Sequence, residues 1–152
     1  PGQNLDKLQG LISRLAQAAA TQQPLNIFVS LDTLRDYIYV DDAALRAVLW
    51  LDKAVGDQSL EPRVRVIASG ESVTVGQLIR TMNQVTKRRI PTALGSHASA
   101  RNQVLDLRLV PSAADELADL PLTPLPAGAK RVYLDILRRL QAPTVTAPPS
   151  PR

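Results

Sequence analysis

The sequence predicts an α/β domain, or α+β for the chain taken in isolation, and three observations carry that expectation. Stretches with aliphatic residues at helical spacing alternate with short runs rich in β-branched residues. The chain has 152 residues, enough for one domain with a real core and too few for two. Hydrophobic residues make up 45% and charged residues 21%, as in an ordinary soluble globular chain, while aromatics are scarce at 3%. The core must therefore be aliphatic, built from Leu, Val, Ile and Ala.

Taken in order, Leu5, Leu8, Leu11, Ile12, Leu15 and Ala19 recur at helical spacing and predict an amphipathic helix over residues 4–20. Pro24 follows soon after its end. Leu25 to Val29 is a short strand candidate, and Tyr37-Ile38-Tyr39-Val40 is a second, rich in β-branched and aromatic residues. Asp41 or Asp42 can cap the next helix, in which Ala44, Leu45, Val48, Leu49 and Trp50 carry the apolar side. Gly56 and Pro62 break the pattern, and Val64 to Ser69 reads as a buried strand. A strand apolar on both faces wants neighbours that this chain does not clearly supply, which suggests a missing partner segment.

Gly70 then turns the chain. Thr74 with Gln77 has the spacing of a capping box, in which hydroxyl and amide satisfy free amide groups of the first helical turn. The helix it opens carries Val75, Leu78, Ile79, Met82 and Val85 on one face. Ile90 to Leu94 predicts another short strand, Val104 to Leu109 alternates like a strand, and Ser112 is placed to cap a brief helix from Ala113 to Ala118. Pro121, Pro124 and Pro126 enforce an extended stretch before a last helix from Ala127 to Gln141, expected to bury Val132, Leu134, Ile136, Leu137 and Leu140. The domain thus spans residues 1–141, and residues 142–152, rich in Pro, Thr, Ser and Ala, form an expected disordered tail. No internal repeat is present.

The absence of cysteine removes disulfides, thiolate nucleophiles and zinc-thiolate sites, and fits a reducing cytoplasm. No apolar run approaches the roughly 20 residues of a membrane span. The chain opens on Pro1-Gly2 without Met, as expected of a piece of a longer protein. The net charge is +4, from 18 Lys and Arg against 14 Asp and Glu. Its denser spots are Lys87-Arg88-Arg89 and the last helix, with Lys130, Arg131, Arg138 and Arg139. No aromatics interleave with them to stack on bases, so a solvated surface is expected rather than a nucleic-acid site.

Catalytic constellations are missing. There is no Gly-x-Gly-x-x-Gly or Walker loop, and His97 is the sole histidine, set in a loop of small residues, so neither a His pair for metal nor a Ser-His-Asp triad is available. Asp41-Asp42 could ligate a metal, but helix capping explains the pair with fewer assumptions.

The informative segment is Leu34-Arg35-Asp36-Tyr37-Ile38-Tyr39-Val40-Asp41-Asp42-Ala43. It resembles the Arg-Asp-(Tyr/Phe)-(Ile/Val)-(Tyr/His)-Val-x-Asp signature of the extended short-chain dehydrogenase/reductases, the NAD-dependent epimerase/dehydratase family. Gln23 to Phe28, Ile67 to Val75 and Pro121 to Gly128 resemble further segments of that family, in order and with compatible spacing, so the resemblance spans residues 1 to 141. It implies the family's C-terminal, substrate-binding lobe, with one or two strands belonging to the Rossmann sheet.

The resemblance also explains the absences. The family's glycine-rich NAD loop and its Tyr-x-x-x-Lys pair lie N-terminal to where this chain begins. There the Tyr is the general acid/base, the Lys lowers its pKa, and the nicotinamide exchanges a hydride with the sugar. NAD(P) is thus implied for a full-length protein and no cofactor for this chain, which by itself is expected to be inactive. The implied partners are a nucleotide-diphosphosugar and the N-terminal Rossmann half, with no nucleic acid and no membrane, in the cytoplasm. Family members often dimerise through helices of that other half, so a homodimer is allowed without an interface here.

The substrate pocket is what should remain. Arg35 stands where the family's Arg contacts the diphosphate, and a guanidinium fork suits phosphate oxygens; the alternative is a surface ion pair. Asn26 and Phe28 stand where the family flanks the nucleotide base, although Phe28 could equally be core. The backbone near Gly10 and Leu11 falls where the family's chain approaches the nucleotide, while Asp36, Tyr37 and Asp106 are expected to brace the fold. Two departures matter. The family's glycine turn before the Arg is replaced by Phe28 to Leu34, and Ser96-His97-Ala98-Ser99 stands where UDP-sugar epimerases carry a second phosphate-binding Arg. Arg101 could substitute; otherwise diphosphate binds weakly, since a charged hydrogen bond contributes about 1.5–3 kcal/mol, or the substrate differs. A non-catalytic scaffold domain keeping the fold is the competing expectation, and a basic nucleic-acid-binding domain a more distant one.

Overall fold

A computed structural model describes residues 10–56, 64–95, 104–112 and 120–142. Along them run α1 (Leu11–Thr21), β1 (Leu25–Ile27), β2 (Leu34–Asp36), α2 (Val40–Gly56), β3 (Ser72–Thr74), α3 (Val75–Thr86), β4 (Thr92–Leu94) and α4 (Leu125–Gln141). The class is α/β, as expected. β1 pairs in parallel with β4, Leu25 opposite Thr92 and Ile27 opposite Leu94. β2 pairs antiparallel with β3, Arg35 opposite Val73.

The core lies where α1, α3 and α4 meet one another and β1 closes beneath them. Ala16, Ala18 and Ala19 of α1 are small enough to leave room for Leu78 and Met82 of α3 and for Tyr133 and Ile136 of α4, all of them buried. Truncating a fully buried Leu78 or Met82 to Ala costs about 2–5 kcal/mol in such a setting. α3 starts where the spacing predicts. The Thr74 hydroxyl accepts from the Gln77 amide at 3.1 Å, and the Gln77 side chain accepts from the Thr74 amide at 2.8 Å.

Several expectations are corrected. Tyr37 to Val40 is not a strand: the pairing falls three residues earlier, on β2, because β3 offers its edge to Leu34–Asp36. Val40 is already helical, so Asp41 and Asp42 sit in the first turn of α2 rather than capping it, where their charge still suits the helix dipole. The Asp42 carboxylate instead accepts from the amide of Thr123 at 2.6 Å and from its hydroxyl at 3.0 Å, fastening the approach to α4.

Val64 to Ser69 forms no ladder among the described residues; besides the bonds of Ser69 to Asp36 it is tied to Ser112, whose hydroxyl accepts from the Val66 amide at 2.9 Å and whose amide donates to the Val66 carbonyl at 3.0 Å. Val104 to Leu109 contributes a single bridge, Asp106 to Leu34. On α4, Ala129, Tyr133 and Ile136 take the inward line, which leaves Leu134 and Leu140 exposed. α2 buries no residue fully, and Leu45, Val48 and Leu51 face outward, because no helix or strand among the described residues packs extensively on it.

The expected start of the first helix at residues 4–9, the brief helix from Ala113 to Ala118 and the tail beyond Ala142 lie outside the described residues. No helix among the described residues is long and apolar enough to cross a membrane.

Replacing Thr74 with Ala removes one arm of the capping box and is expected to lower stability by about 1 kcal/mol, read as a lower urea midpoint at unchanged slope. An unchanged midpoint would mean that the box contributes nothing.

Candidate functional site

A cleft of about 350 Å³ opens between α1, β1 and β2. Its walls follow from local rules. Leu25 and Ile27 of β1 point into the core, so Asn26 between them points to the opposite face and lines the cleft. The next residue, Phe28, is half-buried, with its ring against Gly95. A Cβ at Gly95 would lie 2.8 Å from Cε1 of that ring, so the contact requires glycine. The Gly95 amide donates to the Ile27 carbonyl at 2.9 Å, which holds the two segments in that close approach.

On β2, Asp36 and Arg35 do different work. The Asp36 carboxylate accepts from the Ser69 amide at 2.9 Å, the Ser69 hydroxyl at 2.9 Å and the Gly70 amide at 2.8 Å. Gly70 has a φ of 78°, a left-handed turn that glycine adopts without strain. Arg35 Nη1 donates to the carbonyls of Leu34 at 2.8 Å and Val104 at 2.7 Å, an anchorage that sets the orientation of the guanidinium fork on the cleft wall. Tyr37 completes that wall. Burial pushes its phenol pKa above the ordinary value of 10.0, while the positive charge of Arg35 pulls it the other way.

The cleft therefore gathers Arg35, Asn26 and Phe28, three of the four residues singled out from the sequence, and the fourth, Arg101, lies outside the described residues, as does Ser96 to Ser99. Gly10 and Leu11 line it as well. Sequence reasoning missed Arg14, one turn into α1, which also faces the cleft. The available signal was that Arg14 is the sole basic residue between Lys7 and Arg35.

A larger cavity of about 520 Å³ lies between α1, α4 and residues 37–40. Its lining is mostly aliphatic and aromatic, and its Arg139 is paired with Asp135 at 3.0 Å. Size alone would favour it, but converging charged and polar groups favour the smaller cleft as the site.

The turn at Ser69-Gly70 does not fit the pyrophosphate of a dinucleotide. Such a cradle needs backbone amides aimed at phosphate, and the amides of Ser69 and Gly70 are taken by Asp36.

No family model matches the chain. A curated relative, the dTDP-4-dehydro-6-deoxyglucose reductase of Escherichia coli, is 26% identical over 137 residues, covering 89% of this chain and 41% of the relative. Among solved structures, MoeE5 in complex with UDP-glucose and NAD superposes with a TM-score of 0.74 at 28% identity, covering 93% of this chain and 44% of that one. The UDP-glucose 4-epimerase of Thermotoga maritima gives 0.75 at 23% identity, over 93% and 43%, a likeness of fold. The chain spans less than half the length of each protein it matches here. The expected likeness to NAD-dependent nucleotide-sugar epimerases and dehydratases, the extended short-chain dehydrogenase/reductases, holds in sequence and in fold.

Asp36→Ala leaves three donors without their acceptor and is expected to cost about 2–3 kcal/mol by denaturant unfolding. Asp41→Ala, on the exposed first turn of α2, should cost only a fraction of that. Equal losses would remove the special role of Asp36. For Tyr37, folding favours the protonated phenol, so its contribution to stability is complete below pH 10.0 and is lost as pH rises through the raised value. Tyr37→Phe should therefore flatten the alkaline decline in unfolding midpoint; an identical decline would show that another group governs it.

Proposed function

We propose that this chain is the substrate-gripping part of an NAD(P)-dependent enzyme acting on nucleotide diphosphosugars, and that Arg35 holds the diphosphate. The observation that carries this reading is the convergence of Arg35, Asn26 and Phe28 on one cleft, brought there by two strands that do not pair with each other. A guanidinium is always charged, and its planar fork matches phosphate oxygens. The Asn26 amide offers both donor and acceptor to a base edge, and the Phe28 ring offers an apolar surface. The likeness to MoeE5, whose structure holds UDP-glucose and NAD, and to a reductase of a dTDP-sugar supports the same substrate class.

In this reading the glycine-rich NAD(P) loop and the Tyr and Lys of catalysis belong to a Rossmann half preceding Pro1. The nicotinamide, when bound there, supplies hydride exchange. The residues of this chain bind the nucleotide and hold it in register with that half. Two observations agree with a missing half. The side chains of Leu45, Val48 and Leu51 on α2 are exposed, and so are Val64 and Val66, in a segment with no strand beside it among the described residues. The chain alone is expected to bind nucleotide without turning it over.

In the intact protein, Arg35→Ala is expected to weaken binding of UDP-glucose or a dTDP-sugar at least about tenfold, measured by titration calorimetry. Unchanged affinity would remove Arg35 from the site.

A further inference from the structure

We propose that Arg14 is a second phosphate-holding cation of the cleft, a role that rests on the diphosphate reading above. The sequence lacks an arginine at Ser96 to Ser99, where a second guanidinium was expected, and the fold brings one to the same cleft from a different element. Arg35 arrives from β2 and Arg14 from α1. Among the described residues no carboxylate pairs with Arg14. Among the described residues that line the cleft, the acid Asp36 already accepts three hydrogen bonds from Ser69 and Gly70. Arg14 and Arg35 thus line one partly enclosed space from two different elements. An anion seated between two like charges is attracted by both.

The geometry of α1 adds to this. Arg14 is one turn in, its amide donating to the Gly10 carbonyl at 3.1 Å. Side chains on a helix lean toward its N-terminus, so Arg14 leans back over the first turn. Gly10, which precedes that turn, supplies no side-chain cap to its amides. A phosphate beside Arg14 would also lie at the positive end of the helix dipole. Cations on separate elements suit two linked phosphates better than one, so Arg14 is expected to discriminate a nucleoside diphosphate from its monophosphate.

The test compares Arg14→Gln, Arg14→Lys and Arg35→Ala in the intact protein, with UDP and dTDP and with the corresponding monophosphates as probes. Gln is a good helix former, so α1 should persist, which circular dichroism checks. Arg14→Gln is expected to weaken binding of the diphosphate about tenfold and the monophosphate far less, with Arg14→Lys recovering part of the loss. Equal losses for diphosphate and monophosphate would overturn the proposal, since a structural role acts on both alike. Wild-type diphosphate affinity in Arg14→Gln, with a loss in Arg35→Ala, would overturn it and leave the diphosphate reading standing. Failure of the wild-type protein to bind either diphosphate would overturn both.

Discussion

The carboxylate of Asp36 is the contact on which the arrangement of the cleft depends. It ties the Ser69–Gly70 turn to β2 through three hydrogen bonds. Its neighbour Arg35 is fixed by the Leu34 and Val104 carbonyls, and both residues line the cleft. The same turn leads into β3, and Thr74 is at once the last residue of β3 and the cap of α3. The register of β2 on β3 therefore sets where α3 begins. α3 in turn buries Leu78 and Met82 in the core it shares with α1, the helix whose first turn forms the far wall of the cleft. A short chain of contacts thus runs from one carboxylate to every wall of the site.

This layout separates two tasks. Three helices, β1 and Ile90 form a core that is aliphatic apart from Tyr133. Polar and charged groups collect instead on the outward face of β1, on β2 and on the start of α1, where no core packing competes with them. α2 belongs to neither task. It is fastened at its start, where Asp42 accepts from Thr123, and along its length, where Arg46 donates to the Leu120 carbonyl at 3.0 Å. Beyond those ties, Arg65 stacks on Trp50 at 4.4 Å and the aliphatic side chains face outward.

Much of this was legible in the residues. The Thr74–Gln77 spacing located the start of α3, because a capping box is a local device with one geometry. Helical periodicity found α1 and α4, although α4 begins at Leu125 rather than Ala127, on the proline run that opens it. Arg35, Asn26 and Phe28 were legible through the resemblance, and alternation in β1 explains why Asn26 faces outward. The rest depends on contacts between distant residues. Tyr37-Ile38-Tyr39-Val40 has the stronger β propensity, yet Leu34-Arg35-Asp36 is the strand, since pairing with β3 decides and intrinsic preference does not. Asp42 looked like a cap because its partner, Thr123, is 81 residues away. Arg14 belongs to no motif that the sequence offers, and the packing of α1 beside β1 and β2 brings it to the cleft.

The most direct measurement is a crystal structure of the intact protein soaked with UDP-glucose. The expected result has diphosphate oxygens within hydrogen-bonding distance of the Arg35 guanidinium and the base between Asn26 and Phe28. A nucleotide seated elsewhere, with Arg35 still held on the Leu34 and Val104 carbonyls and touching no phosphate, would contradict it.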